Sequence, residues 1–256
     1  MKPPLQTLHL LYHELRPEPS AYSYALETAQ FQRHLNLYVH LRARGQSELR
    51  PEITFDDGHI SNYELALPLL QARGIQARFF ITVGWTGHKS GYMGWPELRA
   101  LQQAGQDIGA HGWTHTLLTH CSGKDLHREL EKARYTLQDK LGISVTTMSL
   151  PGGRFNRRVL AACNEAGYTR VYTSVPQPEP EPLGFTVGRL NIRREMQPDW
   201  VAALFQSGNR SLASLKRQYQ RKQTAQRLLG DRLYERLWAM VNRQEPDTGG
   251  EGAATG

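Results

Sequence analysis

Cysteine is nearly absent from this chain. Cys121 and Cys163 are the only two in 256 residues and show no paired spacing. That excludes a cysteine-based zinc finger and leaves both side chains expected as free thiols. No apolar run approaches the ~20 residues that a membrane-spanning helix requires. Residues 1–7 lack the apolar stretch and small-residue cleavage site of a secretory signal, so the expected location is the cytoplasm. Acidic residues are in the minority, 24 against 31 Lys and Arg, for a net charge of +7. RNA-binding aromatic signatures are missing too, so the basic excess does not indicate nucleic acid. No internal repeat is present.

What is there is the composition of a soluble globular protein, 39% hydrophobic and 21% charged. A chain of this length buries one sizeable core, and single α/β barrels commonly run to this size. Strand-like runs recur at 8–12, 52–55, 77–83, 107–110, 146–150, 170–173 and 186–192. Helical patterns at 26–44, 61–73, 95–104, 124–141 and 157–166 alternate with them. Each helical pattern is followed by a glycine, from Gly45 to Gly167, where a helix stop belongs. This rhythm implies parallel strands joined by crossover helices. The expected fold is α/β, a distorted or incomplete (β/α) barrel of about seven parallel strands over residues 1–200. Its functional groups belong at the carboxyl ends of the strands. The Pro-rich stretch 176–182 reads as a loop.

Much of the basic excess falls in 201–246, where Arg217, Arg221, Lys222 and Arg227 accompany leucines at near-helical spacing. A basic helical extension packed on the barrel is expected there, then a disordered Gly- and Ala-rich tail at 247–256. The basic face reads either as a solvated surface or as peripheral attraction to anionic lipid at the inner membrane face.

The most informative segment is Thr54-Phe55-Asp56-Asp57-Gly58, followed downstream by His111-Gly112-Trp113-Thr114-His115. Two carboxylates and two imidazoles make a ligand set for a divalent metal with an open coordination position. Neighbouring side chains on a strand point to opposite faces. At a strand end, however, Gly58 lets the backbone turn sharply. One aspartate can then hold the metal while the other faces the substrate as a base. Taken singly, the parts have plainer readings: Asp-Asp-Gly as a turn, and the histidines as a solvated pair among ten in the chain. Their joint placement at two strand ends favours the metal.

Together with the strand around Leu11-Tyr12-His13 and the chain as far as about Arg194, these motifs resemble the polysaccharide deacetylase family, carbohydrate esterase family 4 with its NodB-homology domain. The family's first motif is Thr-Phe-Asp-Asp-Gly and its second a His-x3-His. The resemblance implies that Asp56 is the general base and that Asp57, His111 and His115 bind one divalent metal ion. Zinc is the default for such a set, and cobalt and nickel also suit it. The implied activity is hydrolysis of a non-peptide C–N bond, removing N-acetyl groups from an amino-sugar glycan or its precursor. No protein partner is implied. The nearest alternative is an amidohydrolase acting on another such bond, for example in a cyclic ureide. From another class, a non-catalytic glycan-binding barrel is the alternative.

The chain departs from the family pattern at two places. The third motif usually holds a Pro-aromatic-Gly turn, but Pro151-Gly152-Gly153 has glycine in the aromatic's place. Ser149 stands where many members carry an arginine beside the catalytic aspartate. The turn reads either as a loop or as a source of an oxyanion-binding amide. Many members also carry an acid histidine near the last barrel strand, and residues 187–194 contain none. His13, at the end of the first strand, is the candidate to protonate the leaving amine, with structural hydrogen bonding as its other reading. His59 and His120 are weaker candidates. Trp85 and Trp95 read as core or rim residues; Trp113, between the two histidines, is a candidate to stack on a pyranose ring.

Overall fold

A computed structural model describes residues 6–44, 47–179, 183–206 and 208–229. The chain divides into two units, Met1–Lys216 and Arg217–Gly256. In the first, the strands are β1 (Gln6–Tyr12), β2 (Glu14–Arg16), β3 (Ala25–Glu27), β4 (Leu49–Phe55), β5 (Ala77–Ile81), β6 (Asp107–Ala110), β7 (Thr147–Ser149), β8 (Arg170–Tyr172), β9 (Thr186–Val187) and β10 (Arg189–Asn191). Its helices are α1 (Thr28–Arg44), α2 (Leu67–Gln71), α3 (Trp95–Gln103), α4 (Gly123–Leu141), α5 (Arg157–Glu165) and α6 (Pro198–Leu204). A seventh helix, α7 (Ser211–Leu229), runs across the division. The part of the expected basic extension beyond α7, residues 230–246, and the whole of the tail at 247–256 lie outside the described residues.

Eight strands form one parallel sheet in the order β10-β1-β4-β5-β6-β7-β8-β9. Its two edges are pieces of a single segment parted by Gly188. The first piece pairs with β8 through Val171 with Thr186 and Tyr172 with Val187. The second pairs with β1, from His9 with Arg189 to Leu11 with Asn191. The ladder thus returns on itself, and the expected barrel of about seven strands is present with its last strand split. Gly188 is the joint. A Cβ there would lie 2.4 Å from Gln177 and 2.7 Å from the Val175 carbonyl, so the preceding loop leaves no room for a side chain.

Both faces of the sheet are covered, which explains the near-continuous apolar strands. Outward residues Leu8, Leu10 and Tyr12 of β1 join Phe31, Leu35 and Tyr38 of α1 and Leu130 and Leu137 of α4 in the main core. Phe55 and Phe79 stack there at 4.9 Å. Phe80, Tyr172 and Val187 form a separate small cluster, against which the buried Arg189 guanidinium lies, 5.3 Å from the Phe80 ring.

The expected helix at 61–73 opens with a π-helical turn, Asn62–Ala66, before α2. Pro68 has no N–H to offer the Glu64 carbonyl, and the Leu67 N–H reaches back to Asn62 instead. The three-residue strands β2 and β3 and the short α6 carry too little periodicity to be read from sequence. Cys121 and Cys163 are free thiols. Among the described residues no helix is long and apolar enough to cross a membrane.

Candidate metal and catalytic site

Asp56 and Asp57 follow the last residue of β4, and His111 follows the last residue of β6, so both motifs emerge at carboxyl ends of strands. Asp57 (φ 73°) and His115 (φ 65°) are the two non-glycine residues with positive φ among the described residues. A left-handed backbone of this kind stores roughly 1–3 kcal/mol per residue. The strain has a local product: Asp57 Oδ1 lies 3.2 Å from Nε2 of both His111 and His115. The three donor atoms fall within 4.8 Å of one another.

These residues fit a divalent ion. Asp57 Oδ1 is buried and has no hydrogen-bond partner. His111 Nδ1 contacts the Ser149 carbonyl at 2.9 Å. Because a carbonyl only accepts, Nδ1 carries the proton and donates it, leaving a lone pair on Nε2 facing Asp57. A carboxylate oxygen opposed by imidazole lone pairs is repulsive by itself and becomes favourable around a cation.

The loop carrying both histidines is braced from behind. Glu129, buried on α4, accepts the Trp113 and Thr114 backbone N–H groups at 2.9 and 2.8 Å and the Thr114 hydroxyl at 2.8 Å. Supporting partners of this kind typically change metal affinity by about 10–100-fold when lost. With zinc as the probe ion in a chelator competition titration, Glu129→Ala is therefore expected to weaken divalent-ion binding within that range. Glu129→Gln, which keeps one acceptor oxygen, should retain most of the affinity. Equal affinity in the alanine variant would show that the loop holds itself.

Asp56 sits beside this set in a different role. It is buried, and both of its oxygens are occupied: Arg189 Nη1 donates to Oδ1 at 2.7 Å and Nη2 to Oδ2 at 2.8 Å. The Ser149 hydroxyl donates to Oδ2 at 2.8 Å, and Arg189 Nη2 also donates to the Ser149 oxygen at 2.7 Å. Burial pushes the Asp56 carboxyl up, but the Arg189 guanidinium beside it more than reverses this and holds it below the ordinary carboxylate range. The group is a fixed anion.

Arg189 was not singled out from the sequence. It enters from β10, the segment in which only a missing histidine had drawn notice, and it supplies the cation that Ser149 does not. An arginine inside the strand-like run 186–192 was the available signal, because a charge buried in a strand demands a partner.

The remaining candidates divide. His13 follows β1; its Nδ1 is buried without a hydrogen-bond partner, and its ring lies 5.1 Å from Tyr24. Burial pushes its imidazole below the ordinary value, with Asp57 and Asp56 pulling it back up. His59 Nδ1 is engaged by the Ser61 hydroxyl at 2.8 Å, and His120 is exposed at the end of a 3-10 turn. Pro151 is buried, and Gly152 has φ 62° with a Cβ position 2.6 Å from Leu117. A Cβ there would press on the Leu117 side chain, and the left-handed backbone favours glycine. The Gly153 amide donates to the Leu150 carbonyl at 2.9 Å. The Trp113 ring lies against Gly84 and has Lys132 Nζ 3.7 Å from its centroid. Trp85 is the tryptophan beside the ligands, its ring 5.1 Å from that of His115.

Part of the chain and its fold are similar to known proteins. Residues 46–171 match the family model described as polysaccharide deacetylase. A Bacillus subtilis protein with the same family description is 29% identical over 124 residues, 48% of this chain and 44% of its own length. A chitin deacetylase of Cryptococcus neoformans is 30% identical over 120 residues, 46% of this chain and 24% of its own. The chain thus spans less than half the length of these curated relatives. In fold it is similar to a Streptococcus pyogenes deacetylase solved with acetate, with a TM-score of 0.71 and 18% identity over 79% of this chain and 99% of that one.

Proposed function

We propose that this chain, whose residues 46–171 belong to the polysaccharide deacetylase family, is a metal-dependent hydrolase that removes N-acetyl groups from an amino-sugar glycan or its precursor. One observation carries the reading. Two adjacent aspartates are sorted by their surroundings, Asp57 into a strained cluster with His111 and His115, Asp56 into an arginine clamp.

Asp57, His111 and His115 would hold a divalent ion, zinc by default, and when bound it would supply Lewis-acid polarisation of the acetamide carbonyl and of a water. Asp56, kept ionised by Arg189 and aimed by Ser149, takes the water's proton. The developing oxyanion is met by a backbone amide of the Pro151-Gly152-Gly153 turn. Gly152 is the better placed donor, because the Gly153 amide is already bonded. His13 gives a proton to the leaving amine; its lowered basicity makes it a ready donor once charged. Trp85, against His115, offers the face on which a sugar ring stacks.

The test combines metal analysis with acetate release. Purified protein should hold one ion per chain and free acetate from N-acetylglucosamine oligomers, and His115→Ala should lose both. Equal metal content in the variant would dismiss the triad. Stoichiometric metal without acetate release from any N-acetylated glycan would leave the ion site and dismiss the deacetylase.

A further inference from the structure

Two cations packed on rings that border this site have no carboxylate partner among the described residues. Lys89 is exposed, with Nζ 3.7 Å from the Trp85 ring centroid and 4.5 Å from that of Tyr92, and it donates one long hydrogen bond, 3.5 Å, to the Tyr92 hydroxyl. Trp85 in turn touches His115. On another flank the Arg193 guanidinium lies 5.4 Å from the Tyr24 ring, which packs against His13. Each cation is thus one aromatic ring away from a residue of the site.

The carboxylates on the same segments are already committed. Between residues 82 and 97 the single acid is Glu97, which accepts the Gly94 N–H at 2.8 Å. Between 185 and 197 it is Glu195, paired with Arg194 at 3.2 Å and bonded to Ser23. Asp56 belongs to Arg189. Lys89 is also held in place by its loop, which is fastened to the turn behind Asp57. The Met93 N–H donates to the Gly58 carbonyl at 3.0 Å, and the Ile60 N–H to the Gly91 carbonyl at 2.8 Å. A cation resting on a ring face is held more weakly than one hydrogen-bonded to an oxyanion. Both side chains are therefore available to an anion on the substrate.

Resting on the deacetylase reading above, we propose that the glycan carries an anionic group beside its N-acetyl sugar, a carboxylate or a phosphate, and that Lys89 and Arg193 bind it. The two differ in kind: Lys89 is a flexible point charge, whereas Arg193 offers a planar fork suited to two oxygens.

The experiment is calorimetric titration of the zinc-loaded full chain with three N-acetylglucosamine glycans of equal length. One is neutral, one carries carboxylates on alternate sugars, and one carries a terminal phosphate. At least one acidic glycan should bind tenfold or more tighter than the neutral one, with the advantage shrinking as salt rises. Which acidic arm shows it identifies the group. The double variant Lys89→Gln/Arg193→Gln should abolish the advantage. Equal affinity for all three glycans, or an advantage that survives in the folded double variant, overturns the proposal. Acetate release followed in the same samples separates the two readings. Preferential binding of an acidic glycan with no acetate from any glycan dismisses the deacetylase and leaves the anion site standing. Equal binding with acetate released does the reverse.

Discussion

Asp56→Asn is expected to keep its metal and lose roughly 10²–10⁴-fold in turnover, the range of a general base. The separation of these two effects is what the geometry forecasts. Asp57 Oδ1 lies 3.2 Å from both ligand imidazoles, whereas Asp56 approaches His111 Nε2 no closer than 3.9 Å and gives both oxygens to Arg189 and Ser149. Asparagine is nearly isosteric and keeps one acceptor for the guanidinium, so the ligand cluster beside it should survive. What it loses is the basic oxygen. Metal content and turnover measured on the same preparation decide the matter. Loss of the ion with the activity would move Asp56 into the ligand set, and near-normal turnover would remove it from the chemistry.

The parts that were legible in the sequence share one property: their signal is local. The Thr54–Gly58 and His111–His115 motifs are short, and the strand and helix runs that carry them fall within a few residues of the observed elements. Closure was not legible: the run 186–192 reads as one strand, and only the structure shows that its two halves pair with opposite ends of the sheet. What could not be read are choices made across the fold. Ten histidines look alike in sequence, yet His34 is a core residue, within 3.1 Å of both the Tyr12 hydroxyl and the Met196 carbonyl, and His9 lies 2.9 Å from Glu179. Glu129 faces the ligand loop only because α4 packs behind it. The loss of an aromatic at Gly152 looks like a functional defect in sequence. In the structure it goes with a left-handed backbone at φ 62°, which favours glycine.

Arg189→Met is expected to destabilise the protein by about 3–5 kcal/mol, the usual penalty for leaving one partner of a buried ion pair alone. Arg189 has no exposed surface, and besides Asp56 and Ser149 it donates to the Thr173 carbonyl at 3.2 Å and the Thr54 hydroxyl at 3.3 Å. Methionine fills the volume beside Phe80 and Tyr172 but answers none of these acceptors. Asp56 would then meet the burial that already pushes its carboxyl up, without the guanidinium that pulls it down. The sign follows. In the native protein the depressed carboxyl contributes stability that is complete above its unfolded value and lost as pH falls through the folded one. The variant lacks that contribution, so its deficit in denaturant unfolding should be largest near neutrality and narrow in acid. Its base is also protonated to higher pH, so the acidic limb of the rate profile should move upward. Arg189→Lys restores a charge but not the two-pronged contact, and it should fall between methionine and wild type in both measurements. A methionine variant with a stability deficit independent of pH would reduce Arg189 to a packing residue. Asp56 would then owe its ionisation to neighbours other than Arg189, with the Ser149 hydroxyl the one bonded to it.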